Sequence, residues 1–192
     1  MTVRVILVSP ALRAVSSEAR FDGGEGSEGQ DDEAVRSVVR FAGSLPAADR
    51  QLCGPSRLCR ATADALGLRA RTEPALGDWD MGRWRGRRLD EVSTEEPDAV
   101  AQWLTVAGAA PHGGESLLDL CGRAGAWLEG LSGEGGRVVA VAGPAVVRAV
   151  VVRALALPAE AFWRLDVVPL TATELSGRSG RWNLRCGSPL AS

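Results

Sequence analysis

The sequence has 192 residues, 45% of them hydrophobic, and a formal net charge of −2, which together predict one domain of ordinary size with a single core. No apolar run reaches the roughly 18 residues that a membrane-spanning helix needs, and the first residues lack a signal-peptide pattern, so we expect a soluble, cytoplasmic protein with no membrane partner. Every one of the 22 basic residues is an arginine, which excludes chemistry based on a Schiff-base or Walker lysine. The mixed charges also give no long-range attraction to nucleic acid.

The four cysteines and the one histidine show no spacing typical of a disulfide framework or a metal site. Cys53, Cys59, Cys121 and Cys186 form no CxxC pair, and His112 is the only imidazole in the chain. We therefore expect thiols in a reducing compartment, with no bound metal and no cofactor.

Two apolar, β-branched runs predict strands that are buried on both faces, at residues 3–8 and 138–142. The glycine-rich, acidic stretch 22–32 is too polar to be buried and predicts a mobile loop. Five helices and two late strands are predicted in chain order: helices at 34–43, 57–66, 97–104, 115–131 and 145–155, and strands at 170–175 and 182–185.

Strands that alternate with helices predict an α/β fold. We expect a single-domain three-layer α/β/α sandwich with a mostly parallel central sheet, spanning residues 1–192. Neither an internal repeat nor a linker divides the chain, and nothing in it predicts an oligomeric state.

Five motifs along the chain carry a family resemblance. They are Val5-Ile6-Leu7-Val8; Pro55 followed by Arg60-Ala61-Thr62-Ala63-Asp64-Ala65-Leu66-Gly67; Leu76-Gly77-Asp78 followed by Gly82-Arg83-Trp84-Arg85-Gly86; Gly114-Glu115-Ser116 with Arg123; and the stretch 138–148. In this order they resemble the histidine phosphatase, or phosphoglycerate-mutase-like, superfamily. The resemblance covers nearly the whole chain and implies a pocket at the carboxyl ends of the strands.

The residues that would carry the family's phosphoryl-transfer chemistry are replaced. Where the resemblance implies a phosphate-binding arginine and a nucleophilic histidine, this chain has Ser9 and Pro10, and Leu58 stands in place of a second pocket arginine. The position of the second histidine is Gly143, followed by Pro144, which has no backbone N–H to offer an oxyanion.

One family position keeps its chemistry, and four nearby residues are candidate substitutes. The acid/base carboxylate implied by the resemblance, a glutamate in the family, is Asp78 here. His112 is either an ordinary loop histidine or a base that swings into the pocket. Arg13 and Arg57 are either solvated or bind an anion, and Glu115 either favours a helix start or faces the pocket as a second carboxylate.

Three functions stay open at this point. The first is a catalytically impaired pseudophosphatase that binds a small anionic metabolite or a protein partner in the inherited cleft. The second is an enzyme of changed chemistry that uses Asp78 as a general acid/base. The third is a working phosphatase or phosphomutase, which would be a hydrolase-like enzyme. The family that the chain resembles includes members linked to cobalamin or cobalt metabolism.

Overall fold

One mixed sheet of six strands forms the centre of the molecule. The computed structural model describes residues 1–11, 20–21, 35–36 and 38–186. The strands are β1 (Val3–Val8), β2 (Arg50–Cys53), β3 (Arg71–Thr72), β4 (Gly136–Val141), β5 (Ala172–Arg178) and β6 (Arg181–Arg185). In the described residues their order across the sheet is β3-β2-β4-β1-β5-β6. The pairs β3–β2, β2–β4 and β4–β1 are parallel, whereas β5 pairs antiparallel with both β1 and β6.

Helices cover both faces of this sheet, as expected for a three-layer sandwich. They are α1 (Arg57–Ala65), α2 (Leu89–Glu95), α3 (Pro97–Thr105), α4 (Leu117–Leu131) and α5 (Pro144–Ala154). Short 3-10 turns lie at Val39–Phe41, Pro74–Leu76, Gly82–Trp84 and Ala159–Arg164. None of the helices in the described residues is long and apolar enough to cross a membrane.

Local sequence signals set where the longer helices begin. Ser116 accepts a hydrogen bond from the Asp119 backbone N–H, and the Asp119 carboxylate accepts one from the Ser116 N–H, which is a capping box for α4. Helix α5 begins at Pro144, where a missing N–H costs nothing and the fixed φ favours the helix. Ser56 is the N-cap of α1, where its hydroxyl accepts a hydrogen bond from the Cys59 N–H.

Alternation along β1 divides the core into two clusters. Val5 and Leu7 pack into the larger cluster, which includes the apolar faces of α4 and α5. Ile6 and Val8 point to the other face, into a smaller cluster that includes buried residues of α1. Burial on both faces explains why β1 is apolar at nearly every position.

The carboxyl ends of three adjacent parallel strands meet at one edge of the sheet. Val8 of β1 and Cys53 of β2 both lie opposite Val141 of β4. The residues that follow these strands, including Ser9 and Gly143, therefore gather where open α/β sheets bind their ligands.

The strands and helices predicted from the sequence are found, with ends that shift by one to three residues for most of them. Of the predicted helix 34–43, the described residues 35, 36 and 38 are helical, and the turn Val39–Phe41 follows. Strands β2 and β3 and helix α2 were not predicted. The predicted acidic loop 22–32 lies outside the described residues.

Candidate functional site

The Asp78 carboxylate lies against Gly143 at the carboxyl end of β4. A Cβ atom placed on Gly143 would lie 2.6 Å from Oδ1 of Asp78, closer than real Cβ contacts allow. Gly143 is buried and Asp78 is half-buried. The Asp78 carboxylate therefore occupies the space into which any side chain at position 143 would begin to extend.

Burial dominates the titration of Asp78 and raises the pKa of its carboxyl above the usual value. Three groups oppose this rise: a hydrogen bond from the Ser56 hydroxyl, and the positive charges of Arg85 and Arg123. Since Ser56 also accepts a hydrogen bond of 3.4 Å from the Cys59 N–H, its hydroxyl joins Asp78 to the start of α1.

Asp78→Asn is expected to make the protein more stable at neutral pH. Because the pKa of Asp78 is raised in the folded state, its contribution to stability is present below the unfolded pKa of about 3.9 and is lost as the pH rises through the folded pKa. The gain over wild type should therefore shrink on acidification, which urea unfolding of both proteins between roughly pH 4 and 7 would measure. A variant less stable than wild type at neutral pH would contradict this assignment.

Ser9 and Pro10 are both buried at the end of β1. The Ser9 backbone pairs with the chain near β5, since its N–H donates to Thr171 and its carbonyl accepts from Leu170. The Ser9 side-chain Oγ is buried and has no hydrogen-bond partner among the described residues. No general base therefore holds a hydrogen bond to Ser9 Oγ in this part of the chain, and the structure gives no support for Ser9 as an activated nucleophile.

The start of α1 presents the two residues predicted to border the pocket. Arg57 is exposed at the first helical position, and Leu58 next to it is half-buried. Pro144 is half-buried at the first position of α5. Arg13 lies outside the described residues.

Glu115 is held by Arg123 and does not face the pocket as an unpaired carboxylate. Arg123 Nε and Nη2 each donate to the Glu115 carboxylate at 2.8 Å, as a bidentate pair. Arg123 Nη1 also donates to the carbonyl oxygens of Ala75 at 2.8 Å and Gly77 at 3.0 Å. Arg123 thereby fixes the loop that carries Asp78.

The His112 side chain is buried beneath the loop that carries it. Its side chain is 1% exposed, its ring lies 5.2 Å from the Trp84 ring, and its Nδ1 accepts from the Gly114 N–H at 3.0 Å. Burial lowers the pKa of the imidazole, and Nε2 has no hydrogen-bond partner among the described residues. The geometry favours the ordinary loop histidine over a base that swings into the pocket.

A shallow depression beside Asp78 is mainly acidic. Its lining consists of Pro74, Gly77, Asp78, Asp80, Gly114, Glu115, Asp119 and Arg123. Glu115 is paired with Arg123, and Asp119 is engaged by Ser116. Within the described ranges, no group of three or more histidine, cysteine or acidic side chains is arranged to hold a metal ion.

The structure adds Ser56, Arg85 and Arg123 to the surroundings of Asp78. Ser56 carries a sequence signal, because a serine before a predicted helix is a typical N-cap. Arg123 belongs to a recognised motif, but its link to Asp78 depends on tertiary contacts. Arg85 lies in a turn, and no signal in the sequence separates it from the other arginines nearby.

Comparisons with known proteins agree with this architecture. The sequence profile of the histidine phosphatase superfamily (branch 1) matches residues 31–187. A glucosyl-3-phosphoglycerate phosphatase of Mycobacterium tuberculosis is 33% identical over 60 residues, which are 31% of this chain and only 27% of that relative.

Solved structures resemble the whole chain. A mycobacterial protein described as hydrolase 2 has a TM-score of 0.78 and 24% identity, over 100% of this chain and 93% of its own. The α-ribazole phosphatase of Shigella flexneri has a TM-score of 0.75 and 17% identity, over 95% of this chain and 94% of its own. At these identities the structures show a shared fold.

Proposed function

We propose that this chain, which belongs to the histidine phosphatase superfamily, has lost phosphoryl transfer and uses the inherited cleft to bind a small anionic metabolite or a protein partner. The family resemblance implies that two histidines and two arginines act at the carboxyl ends of the strands. The corresponding residues here are Pro10 and Gly143 for the histidines, and Ser9 and Leu58 for the arginines. None of these side chains can attack phosphorus as an imidazole does or hold its oxygens as a guanidinium does.

The single observation that carries this proposal is the contact between Asp78 and Gly143. A Cβ atom at position 143 would lie 2.6 Å from Asp78 Oδ1, so a histidine there would require the carboxylate to turn aside. In its present position the Asp78 carboxylate is compatible with glycine at 143 and not with a side chain there. When ionised, Asp78 also places a negative charge where a phosphoryl group would have to bind.

Two of the arginines near Asp78 are already close to carboxylates of the chain. Arg123 is paired with Glu115, and Arg85 lies 3.9 Å from Asp80. A small anion in the cleft would therefore have to compete with Glu115 and Asp80 for these guanidinium groups.

Changed chemistry at Asp78 is the second candidate, because one observation favours it. Burial raises the pKa of this carboxyl, which is the usual preparation of a general acid/base for work near neutral pH. In this case the substrate would not be a phosphate ester, since the oxygens of a phosphoryl group lack their usual donors.

A working phosphatase is the third candidate, and the related proteins keep it open. Both the Mycobacterium tuberculosis relative and the Shigella flexneri structure are phosphatases by name. Under this alternative the substrate is a phosphate monoester, and the resemblance adds a link to cobalamin or cobalt metabolism. It requires a nucleophile other than the family's histidine.

Hydrolysis of a generic aryl phosphate and a panel of phosphate monoesters distinguishes these candidates. We expect no turnover by wild type, by Asp78→Ala, or by the control Asp98→Ala, which removes an exposed carboxylate from α3. Turnover by wild type and Asp98→Ala that is absent in Asp78→Ala would overturn the proposal and assign catalysis to Asp78. Turnover by all three proteins would point to a nucleophile elsewhere.

A further inference from the structure

A row of polar side chains crosses the sheet at the end opposite the cleft. Arg4 of β1 lies directly opposite Arg137 of β4 and Ser176 of β5, and Ser176 lies opposite Asn183 of β6. Residues that are paired across adjacent strands point to the same face, so these four side chains form one line over four strands. Arg4 and Asn183 are exposed, and Arg137 and Ser176 are half-buried.

The arginine pair within this row is unusual because like charges placed directly opposite each other destabilise a sheet. Arg4 makes no ion pair with a carboxylate in the described part of the chain. The Arg137 guanidinium donates to the Ala47 carbonyl at 2.8 Å and makes no ion pair among the described residues, and the nearby Asp49 carboxylate accepts from the Arg137 backbone N–H instead. The stability of the fold does not favour two opposed arginines, whereas a bound anion would reduce the repulsion between their charges.

The row runs along the floor of two adjoining depressions that share Thr2 and Ser176. Their lining includes five arginines and a single carboxylate, Glu174. Arg185 pairs with Glu174 at 3.3 Å, so the carboxylate is already neutralised. The groove is therefore strongly positive on a chain whose net charge is −2.

We propose that this groove is a binding site for a small molecule that carries a multivalent phosphate group, separate from the cleft at the other end of the strands. Arg4 and Arg137 lie on adjacent strands and line the same depression, so their guanidinium groups could hold phosphate oxygens in fork geometry, and the hydroxyl of Ser176 and the amide of Asn183 add neutral donors. The row crosses three strand spacings, or roughly 14 Å, which favours an extended anion over a single small ion.

Binding of inorganic tripolyphosphate, followed by calorimetry and by the thermal unfolding midpoint at constant ionic strength, tests this proposal. Wild type is expected to bind and to unfold at a higher temperature, because a ligand of the folded state stabilises it. Arg4→Gln/Arg137→Gln is expected to weaken binding by roughly tenfold or more and to lose the thermal shift. Without the anion this variant should be about as stable as wild type, since removing the opposed charges offsets the loss of the hydrogen bond from Arg137 to the Ala47 carbonyl.

Two controls make the outcome specific. Arg71→Gln/Arg164→Gln removes the same charge from exposed positions elsewhere and should bind like wild type, as should Asp78→Ala in the cleft. Equal binding by wild type and Arg4→Gln/Arg137→Gln would overturn the proposal, as would no binding by wild type. Tighter binding of a hexaglutamate peptide than of tripolyphosphate would also overturn it and assign the groove to an acidic protein segment.

Discussion

Replacing Arg123 by methionine is expected to lower the free energy of unfolding by about 3 kcal/mol. The guanidinium holds Glu115 in a bidentate pair and donates to the carbonyls of Ala75 and Gly77. Methionine fills similar space but leaves a poorly exposed carboxylate without its partner, and such a group costs far more than the intact pair contributes. Urea denaturation would measure the loss.

The same change should also alter the titration of Asp78. Arg123 lowers the pKa of this carboxyl, so its removal is expected to raise that pKa further. Glu115→Gln/Arg123→Met is the matched control, because it removes the unpaired charge and should recover part of the lost stability. If Arg123→Met were as stable as wild type, Arg123 would not hold the loop that carries Asp78.

Gly114→Ala is expected to cost about 3 kcal/mol because two loop backbones touch at this glycine. A Cβ atom at Gly114 would lie 2.1 Å from the Asp80 carbonyl oxygen and 2.6 Å from the Gly82 nitrogen. Both neighbours are backbone atoms that cannot turn aside as a side chain does, so the loops would have to separate. Separation would also strain the hydrogen bond from the Glu115 N–H to the Asp80 carbonyl.

Gly122 provides a matched control for this substitution. It lies in α4 with no atom within 4 Å of a Cβ placed on it, so Gly122→Ala should stabilise the helix by about 0.5–1 kcal/mol. Thermal or urea unfolding of both variants gives the comparison. Equal stability of Gly114→Ala and wild type would contradict the close approach of the two loops.

The strands at the centre of the fold were predictable because burial leaves a clear pattern. Strand β1 is apolar nearly throughout. Helices α4 and α5, on either side of β4 in the chain, carry apolar faces and recognisable starts. β2 was missed because Arg50 and Gln51 break its apolar pattern, and the two residues of β3 are too few to form one. α2 contains Val92, Ser93 and Thr94, whose helix propensity is modest.

The candidate site was predictable in its composition but not in its geometry. The sequence places Asp78 and Gly143 in separate motifs, and only the packed sheet brings the carboxylate to within 2.6 Å of the Cβ position. Likewise, the pairing of Glu115 with Arg123 and its place in the lining of the depression beside Asp78 depend on tertiary packing, since a helix-start residue can point to either side. The burial of His112 follows from its packing on Trp84, which no spacing in the loop indicates.

The most direct test of lost phosphoryl transfer is a search for a phosphoryl-enzyme. Wild type and His112→Gln would be mixed with an aryl phosphate, quenched under alkaline conditions and examined by intact-protein mass spectrometry. Because His112 is the only histidine in the chain, any phosphohistidine must form there. We predict no added phosphoryl group on either protein. An adduct on wild type that is absent from His112→Gln would contradict the loss of phosphoryl transfer and make His112 the nucleophile.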